Sequence, residues 1–174
     1  MGDVAGFAVS KDLPPVLQDL ARRDGPRPRV EKRHPCPQVT EGAPAELREA
    51  LVARARSLPG AQICPPRLTV PGADGLALAE EFALGQAEAF IMGREFACLR
   101  GAGDGSVHLT LYPEWGAEVL RQGWAEIFPL ALYGLIPPQN TIVYAPRDEA
   151  ELEVVWRILT ASYFYARGEL VELR

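Results

Sequence analysis

The stretch that most constrains this chain is residues 93–112, GREFACLRGAGDGSVHLTLY. Two strand-like runs flank a glycine-rich turn, GAGDG at 101–105, which is the pattern of a β-hairpin. Centring the turn on Gly103 sets Cys98 opposite His108. Side chains alternate between faces along a strand. One face then carries Ala97 and Leu99 against Val107, Leu109 and Leu111, and is apolar. The other carries Arg94, Phe96, Cys98 and Arg100 against Ser106, His108, Thr110 and Tyr112. The apolar face requires a covering layer. The mixed face suits either the floor of a ligand pocket or the wetted side of an antiparallel sheet. A slip of one residue would exchange the two faces.

The covering layer is legible elsewhere. Residues 147–168, RDEAELEVVWRILTASYFYARG, form the strongest helical pattern, with Leu152, Val155, Leu159, Ser162 or Tyr163, and Ala166 as its buried stripe. Asp148 followed by Glu151 has capping-box spacing. Residues 44–60 make a second helix, with Leu47, Leu51 and Ala55 on one face and Pro59-Gly60 ending it. Residues 113–123 make a third, with proline at its start and glycine at its end. Short strands are expected at QIC (62–64), RLTV (67–70), GLALA (75–79) and TIVYA (141–145), and longer ones over 89–99 and 106–112. EEFALGQAEA is ambiguous between a helical turn and a loop, and 124–140 reads as a long irregular connection. No internal repeat is present. The order predicts one α+β domain over 44–174, a twisted antiparallel sheet with its helices mainly on one face.

Residues 1–43 differ in character. They hold a possible short helix over 13–23 and then a proline-rich, charged segment. RRDGPRPRVEKR (22–33) has six basic and two acidic residues. It reads as a solvated arm wrapped around the domain, or as an arm that binds a phosphate or carboxylate.

With 174 residues, 48% of them hydrophobic, the chain can bury one core unaided. The net charge of −5 argues against general nucleic-acid binding. Cys36, Cys64 and Cys98 are odd in number and lack CxxC spacing, which fits a reducing cytoplasm better than a disulfide framework. No run is apolar enough to span a membrane, and the first residues do not read as a signal peptide. No Rossmann or Walker pattern occurs, so no cofactor is expected.

The strings EAFIMGREFACL, DGSVHLTL, GWAEIFPL (123–130) and VYAPRDEAELEVVWRILTASYFYA (143–166) resemble the luciferase-like domain family, small bacterial and fungal proteins named after the luciferase of luminous fungi. The resemblance covers roughly 25–170. The order of elements is also similar to the YjbR/MmcQ group of small α+β domains. The fungal enzyme oxidises a hydroxylated pyrone with molecular oxygen, without flavin or metal, and carries an N-terminal membrane segment; no such segment is expected in this sequence. The family pattern favours histidine at the positions of Cys36, Cys98 and Phe128, and keeps His108.

Three chemistries are open to these residues. Cys36, Cys98 and His108 are acceptable zinc ligands, but their spacing is scattered and no fourth ligand beyond His34 is evident, so no metal is expected. Cys98 beside His108 offers a thiolate–imidazolium pair, without a visible group to orient the imidazole. Cofactor-independent oxygenation needs a base to make an enolate and a cation to hold it. His108 is the candidate base. Arg94, Arg100 and Arg147 are candidate cations, Cys98 a floor residue, and Trp124 and Tyr144 candidate stacking partners for a planar small-molecule ligand. The reading from a different class is a non-catalytic YjbR-like module that binds protein or nucleic acid.

Overall fold

The computed structural model describes residues 13–68 and 70–169. Six strands form one antiparallel sheet: β1 (Ala61–Cys64), β2 (Asp74–Leu78), β3 (Glu95–Leu99), β4 (Val107–Thr110), β5 (Ala125–Ile127) and β6 (Asn140–Val143). Their order across the sheet is β1-β2-β3-β4-β6-β5. Three helices, α1 (Ala45–Arg56), α2 (Pro113–Arg121) and α4 (Glu149–Ala166), bury their apolar faces against one side of the sheet. A fourth, α3 (Pro129–Leu132), is a single turn in the β5–β6 connection.

The hairpin pairs as its symmetry predicts, with Ala97 opposite Leu109, Cys98 opposite His108 and Leu99 opposite Val107. Leu99, Leu109, Val155 and Leu159 share the helix-side core. The predicted stripe of α4 is buried along its length, and the Asp148 Oδ1 accepts the Glu151 amide at 2.8 Å, capping the helix. In α1, Leu47, Leu51 and Ala55 face inward as expected.

The expected faces fail at the two ends of the hairpin. The β2–β3 register shifts between Leu76 and Ala77, so that Leu76 pairs with Ala97 but Ala77 with Glu95. Phe96 is the extra residue of this bulge. It turns to the helices and meets Tyr163, ring centroids 6.1 Å apart, instead of joining Cys98. Tyr112 lies beyond the end of β4 and packs edge-on against Trp115 and Tyr165 on the helix side. Other expectations also need correction. Arg67, Leu68 and Val70 lie in no strand, and a 3-10 turn (Ala87–Ala89) and one isolated bridge at Met92 precede β3 rather than an extension of it. The helix expected at 13–23 is only a 3-10 turn, Pro15–Leu17. The connection at 124–140 contains β5 and α3. The reading of the first residues as lacking a signal peptide lies outside the described residues.

The arm wraps the sheet. Leu17 and Leu20 join the helix-side core, where Arg157 Nε donates to the Val16 carbonyl. The chain then passes Trp124, whose indole Nε1 donates to the Ala21 carbonyl at 2.8 Å. It crosses to the opposite face, where Val30 and Cys36 pack with Phe128, Ile142 and Tyr144. Gln38 is buried and fully used: its Oε1 accepts the Ala145 amide, and its Nε2 donates to the Thr40 and Glu41 carbonyls. The arm closes against the hairpin turn so tightly that a Cβ on Gly42 would lie 2.3 Å from the Gly103 carbonyl oxygen. Most of the arm's positive charge is spent internally. Arg23 is buried, pairs with Glu41 and stands 5.5 Å from the Tyr144 ring centroid. Lys32 pairs with Glu126.

Candidate functional site

The helix-free face of β3, β4 and β6 is neither wet nor greasy. Sheet alternation points Cys98, His108, Asn140, Ile142 and Tyr144 to this side. The arm and the start of α3 lie over them. Four residues singled out in the sequence converge here: Cys36 and Phe128 in one cluster, and His108 stacked on Phe128 at 3.9 Å with rings 7° apart, directly across from Cys98.

His108 is buried, and burial pushes its pKa down to about 3. Its Nε2 donates to Asn140 Oδ1 at 2.8 Å, and Asn140 is itself oriented by donating from Nδ2 to the Pro137 carbonyl. This arrangement fixes the Nε2–H tautomer and leaves Nδ1 as the lone-pair nitrogen. Asn140 is thus the orienting group for the imidazole that sequence reasoning did not find. It neighbours His108 diagonally across the β4–β6 ladder, and the pairing of two strands 30 residues apart gave no local signal.

Both nearby thiols are protonated. Burial pushes Cys98 up to about 12 and raises Cys36, outweighing the nearby Arg100 in each case. A thiolate–imidazolium pair is not the resting state of Cys98 and His108. Among the described residues no group of three or more His, Cys, Asp or Glu side chains is arranged to hold a metal ion.

Arg100 is buried, with about 1% of its surface exposed. Its Nη1 donates to the Pro35 carbonyl, its guanidinium lies 6.0 Å from the Phe128 ring centroid, and its Nε has no hydrogen-bond partner. It makes no ion pair among the described residues. It also lines a partly open cavity of about 220 Å³ between the arm prolines Pro35 and Pro37, Pro71, and the Gly101–Asp104 turn. Asp104 in that turn is occupied: its carboxylate accepts from Ser106 and from the Gln38 amide.

Tyr144 belongs to the same cluster, where its hydroxyl donates to Glu126 Oε2 at 2.9 Å; burial, more than the neighbouring carboxylate, raises its pKa. The remaining candidates stand apart. Trp124 packs in the helix-side core and holds the arm. Arg147 bonds Glu151, Glu41 and the Asp24 carbonyl, clasping the arm to the start of α4. Arg94 is half exposed, 3.9 Å from Glu80. The bulge brings a different group inward: Glu95 is buried, its Oε2 accepts the Arg67 amide at 2.8 Å, and burial raises its pKa. A carboxylate at that sequence position reads as surface, and only the bulge reveals it.

A family model described as Luciferase domain matches residues 93–162, which include β3, β4, β6 and most of α4. The luciferase of Armillaria mellea is 30% identical in an alignment that covers 94% of this chain and 68% of that protein. The luciferase of Neonothopanus nambi is 40% identical over 85 residues, 45% of this chain and 32% of that protein. No solved structure matches. No helix of the described residues is long and apolar enough to cross a membrane. Sequence likeness along nearly the whole chain, with a family match that begins at the hairpin carrying Cys98 and His108, makes this chain a member of the luciferase domain family.

Proposed function

We propose that this domain binds a small planar organic ligand on the β3–β4–β6 face and supports cofactor-independent oxygenase-type chemistry there. The observation that carries the reading is Arg100, a buried guanidinium with no carboxylate partner among the described residues, beside a cavity. Burying an unpaired charge is costly, and a ligand that develops negative charge would offset that cost. In this reading His108 Nδ1 takes the proton of an enol or phenol hydroxyl. A base whose protonated form is so strongly disfavoured needs the product anion held close. The Arg100 guanidinium supplies the field for that anion, and the ion pair with His108 raises the basicity of the imidazole. The resulting enolate is the electron-rich form that reacts with oxygen.

Cys98 and Tyr144 form the floor beside His108. Trp124 and Arg147 act on the ligand indirectly, by holding the arm that covers it, and Arg94 stays at the margin. The cavity of about 220 Å³ is lined by Arg100 but not by His108, Cys98 or Tyr144, so a ligand that reaches His108 displaces the Pro35–Pro37 turn or the Phe128 ring. The arm (1–43) is then a cover for the luciferase-like domain (44–174). The three free cysteines suit a cytoplasmic protein. A face enclosed by its own chain supports a ligand site over the interaction module, which needs a flat exposed sheet.

The test is native mass spectrometry of the purified chain, followed by oxygen-electrode assays with a hydroxylated pyrone as probe. A retained organic ligand or oxygen uptake, lost in His108→Ala and in Arg100→Met with the fold intact, supports the reading. Uptake or retention unchanged in both variants overturns it.

A further inference from the structure

The arm folds back on itself where it crosses the helix-free face. Val30 pairs with Gln38 in an isolated bridge, and the Glu31 amide donates to the Pro37 carbonyl at 2.9 Å. Residues 31–37 are the tip of this small hairpin. Its base is fixed: Val30 is buried in the cluster with Phe128, and Gln38 Oε1 accepts the Ala145 amide at 2.9 Å. The tip is held differently. Of residues 31–37 only Cys36 is buried. Pro35 and Pro37 line the partly open cavity of about 220 Å³ beside Arg100, so the tip is undercut rather than packed there. Polar contacts pin it on two sides. Arg100 Nη1 donates to the Pro35 carbonyl, and Lys32 pairs with Glu126 at 3.4 Å on the exposed rim. Cys36, wedged into the Phe128 cluster, takes a φ of 56°, a left-handed conformation that a residue with a Cβ keeps only under constraint. A segment with one buried side chain, a void beside it and strain within it belongs to the low-stability end of a fold.

We infer that residues 31–37 are a lid that lifts from this face about the fixed pair Val30 and Gln38, with the Arg100–Pro35 and Lys32–Glu126 contacts as its latches. Lifting it joins the cavity at Arg100 to the His108 side, which the closed cavity does not reach. The lid takes its purpose from the ligand reading above, on which it rests, but its opening is a property of the ligand-free chain. Ligand retention and oxygen uptake test that reading, and the opening is tested without any ligand, so the two stand or fall on separate measurements.

The experiment is prolonged native labelling of the full chain with iodoacetamide, Cys36 being followed by peptide mass spectrometry and amide exchange by NMR in parallel. The slowest α4 amides report global opening, and the Ala145 amide reports loss of the Gln38 anchor. Cys36 should label slowly, through an opening at least about tenfold more frequent than that of the α4 amides, while Ala145 stays protected. Lys32→Gln should speed this labelling about threefold, the worth of an exposed ion pair. Arg100→Met should speed it about tenfold or more, the worth of a hydrogen bond from a charged group. Burial raises the Cys36 pKa and both cations oppose it, so removing either makes the thiol itself less reactive, and faster labelling reports opening. The inference is overturned by Cys36 labelling no faster than α4 opens, by equal rates in the wild type and both variants, or by an acceleration that the α4 amides match. Loss of Ala145 protection at the rate of Cys36 labelling would also overturn it, since the whole arm would then be leaving rather than its tip.

Discussion

His108 makes folding stability depend on pH in a way that can be computed from its burial. An ordinary histidine titrates near 6.5, whereas the folded imidazole is pushed down to about 3. Between those values the unfolded chain binds a proton that the folded chain refuses. Stability contributed by the neutral ring is therefore complete above 6.5 and is lost progressively as pH falls toward 3. Each pH unit is worth about 1.4 kcal/mol, so moving from pH 7.5 to 5.0 costs about 2 kcal/mol from this residue alone. The cost arises because the ring is buried in a dry cluster against Phe128, with Arg100 adding repulsion, and this burial outweighs the Asn140 hydrogen bond that favours the imidazolium. Urea denaturation of the wild type and of His108→Gln at both pH values isolates the effect. Glu95, whose raised pKa acts in the opposite direction, titrates in both proteins and cancels in the difference. The wild type should lose about 2 kcal/mol more than the variant on acidification. In parallel, the folded His108 Cε1–H resonance should stay still between pH 7.5 and 5.0. Equal losses in the two proteins, or a resonance that titrates in this range, would refute the argument from burial.

Leu109→Ala, which empties the centre of the helix-side core, should cost about 2–5 kcal/mol in chemical denaturation; a loss of a few tenths would mean that β4 presents its other face to the helices. Native alkylation should label Cys64 alone, because Cys36 and Cys98 are buried, and all three cysteines should react in urea. Rapid labelling of Cys36 under native conditions would show that the arm does not hold its place. Asp148→Ala removes the cap of α4 and should lower stability by about 1 kcal/mol, read as a shift in urea midpoint.

The parts of this fold that sequence exposes are those decided locally. The turn at 101–105 carries glycines at both Gly103 and Gly105, where the backbone takes positive φ, so the hairpin register could be counted outward from it. The stripe and cap of α4 need only a 3.6-residue period and one carboxylate. The misses are non-local. The bulge that turns Phe96 to the helices and Glu95 inward depends on β2, a strand with no composition that announces a shifted partner. Arg94 was legible as a charge but not as the partner of Glu80. Asn140 could not be linked to His108 without knowing that β4 pairs with β6. The mixed face was legible, and so was an arm wrapped around the domain; that residues 28–38 cover this face was not, because a proline-rich charged segment carries no signal for which surface it docks on.

The wrap of the arm has a consequence for synthesis. Within this sequence residues 16–41 leave the ribosome before nearly everything they bind: Trp124, Ala145, Arg147 and Arg157 hold them, more than 100 residues later. For most of translation the arm has no surface to dock on, and domains fold as units only once their parts exist. A greasy segment left waiting that long would find the exposed edges of β1–β4 and pair with them wrongly. The prolines at 26, 28, 35 and 37 deny it ladder hydrogen bonds, and the charges of 22–33 keep it in water until α4 emerges. A ribosome-stalled chain ending before residue 140 should accordingly leave Cys36 open to alkylation, and one that includes the whole of α4 should not.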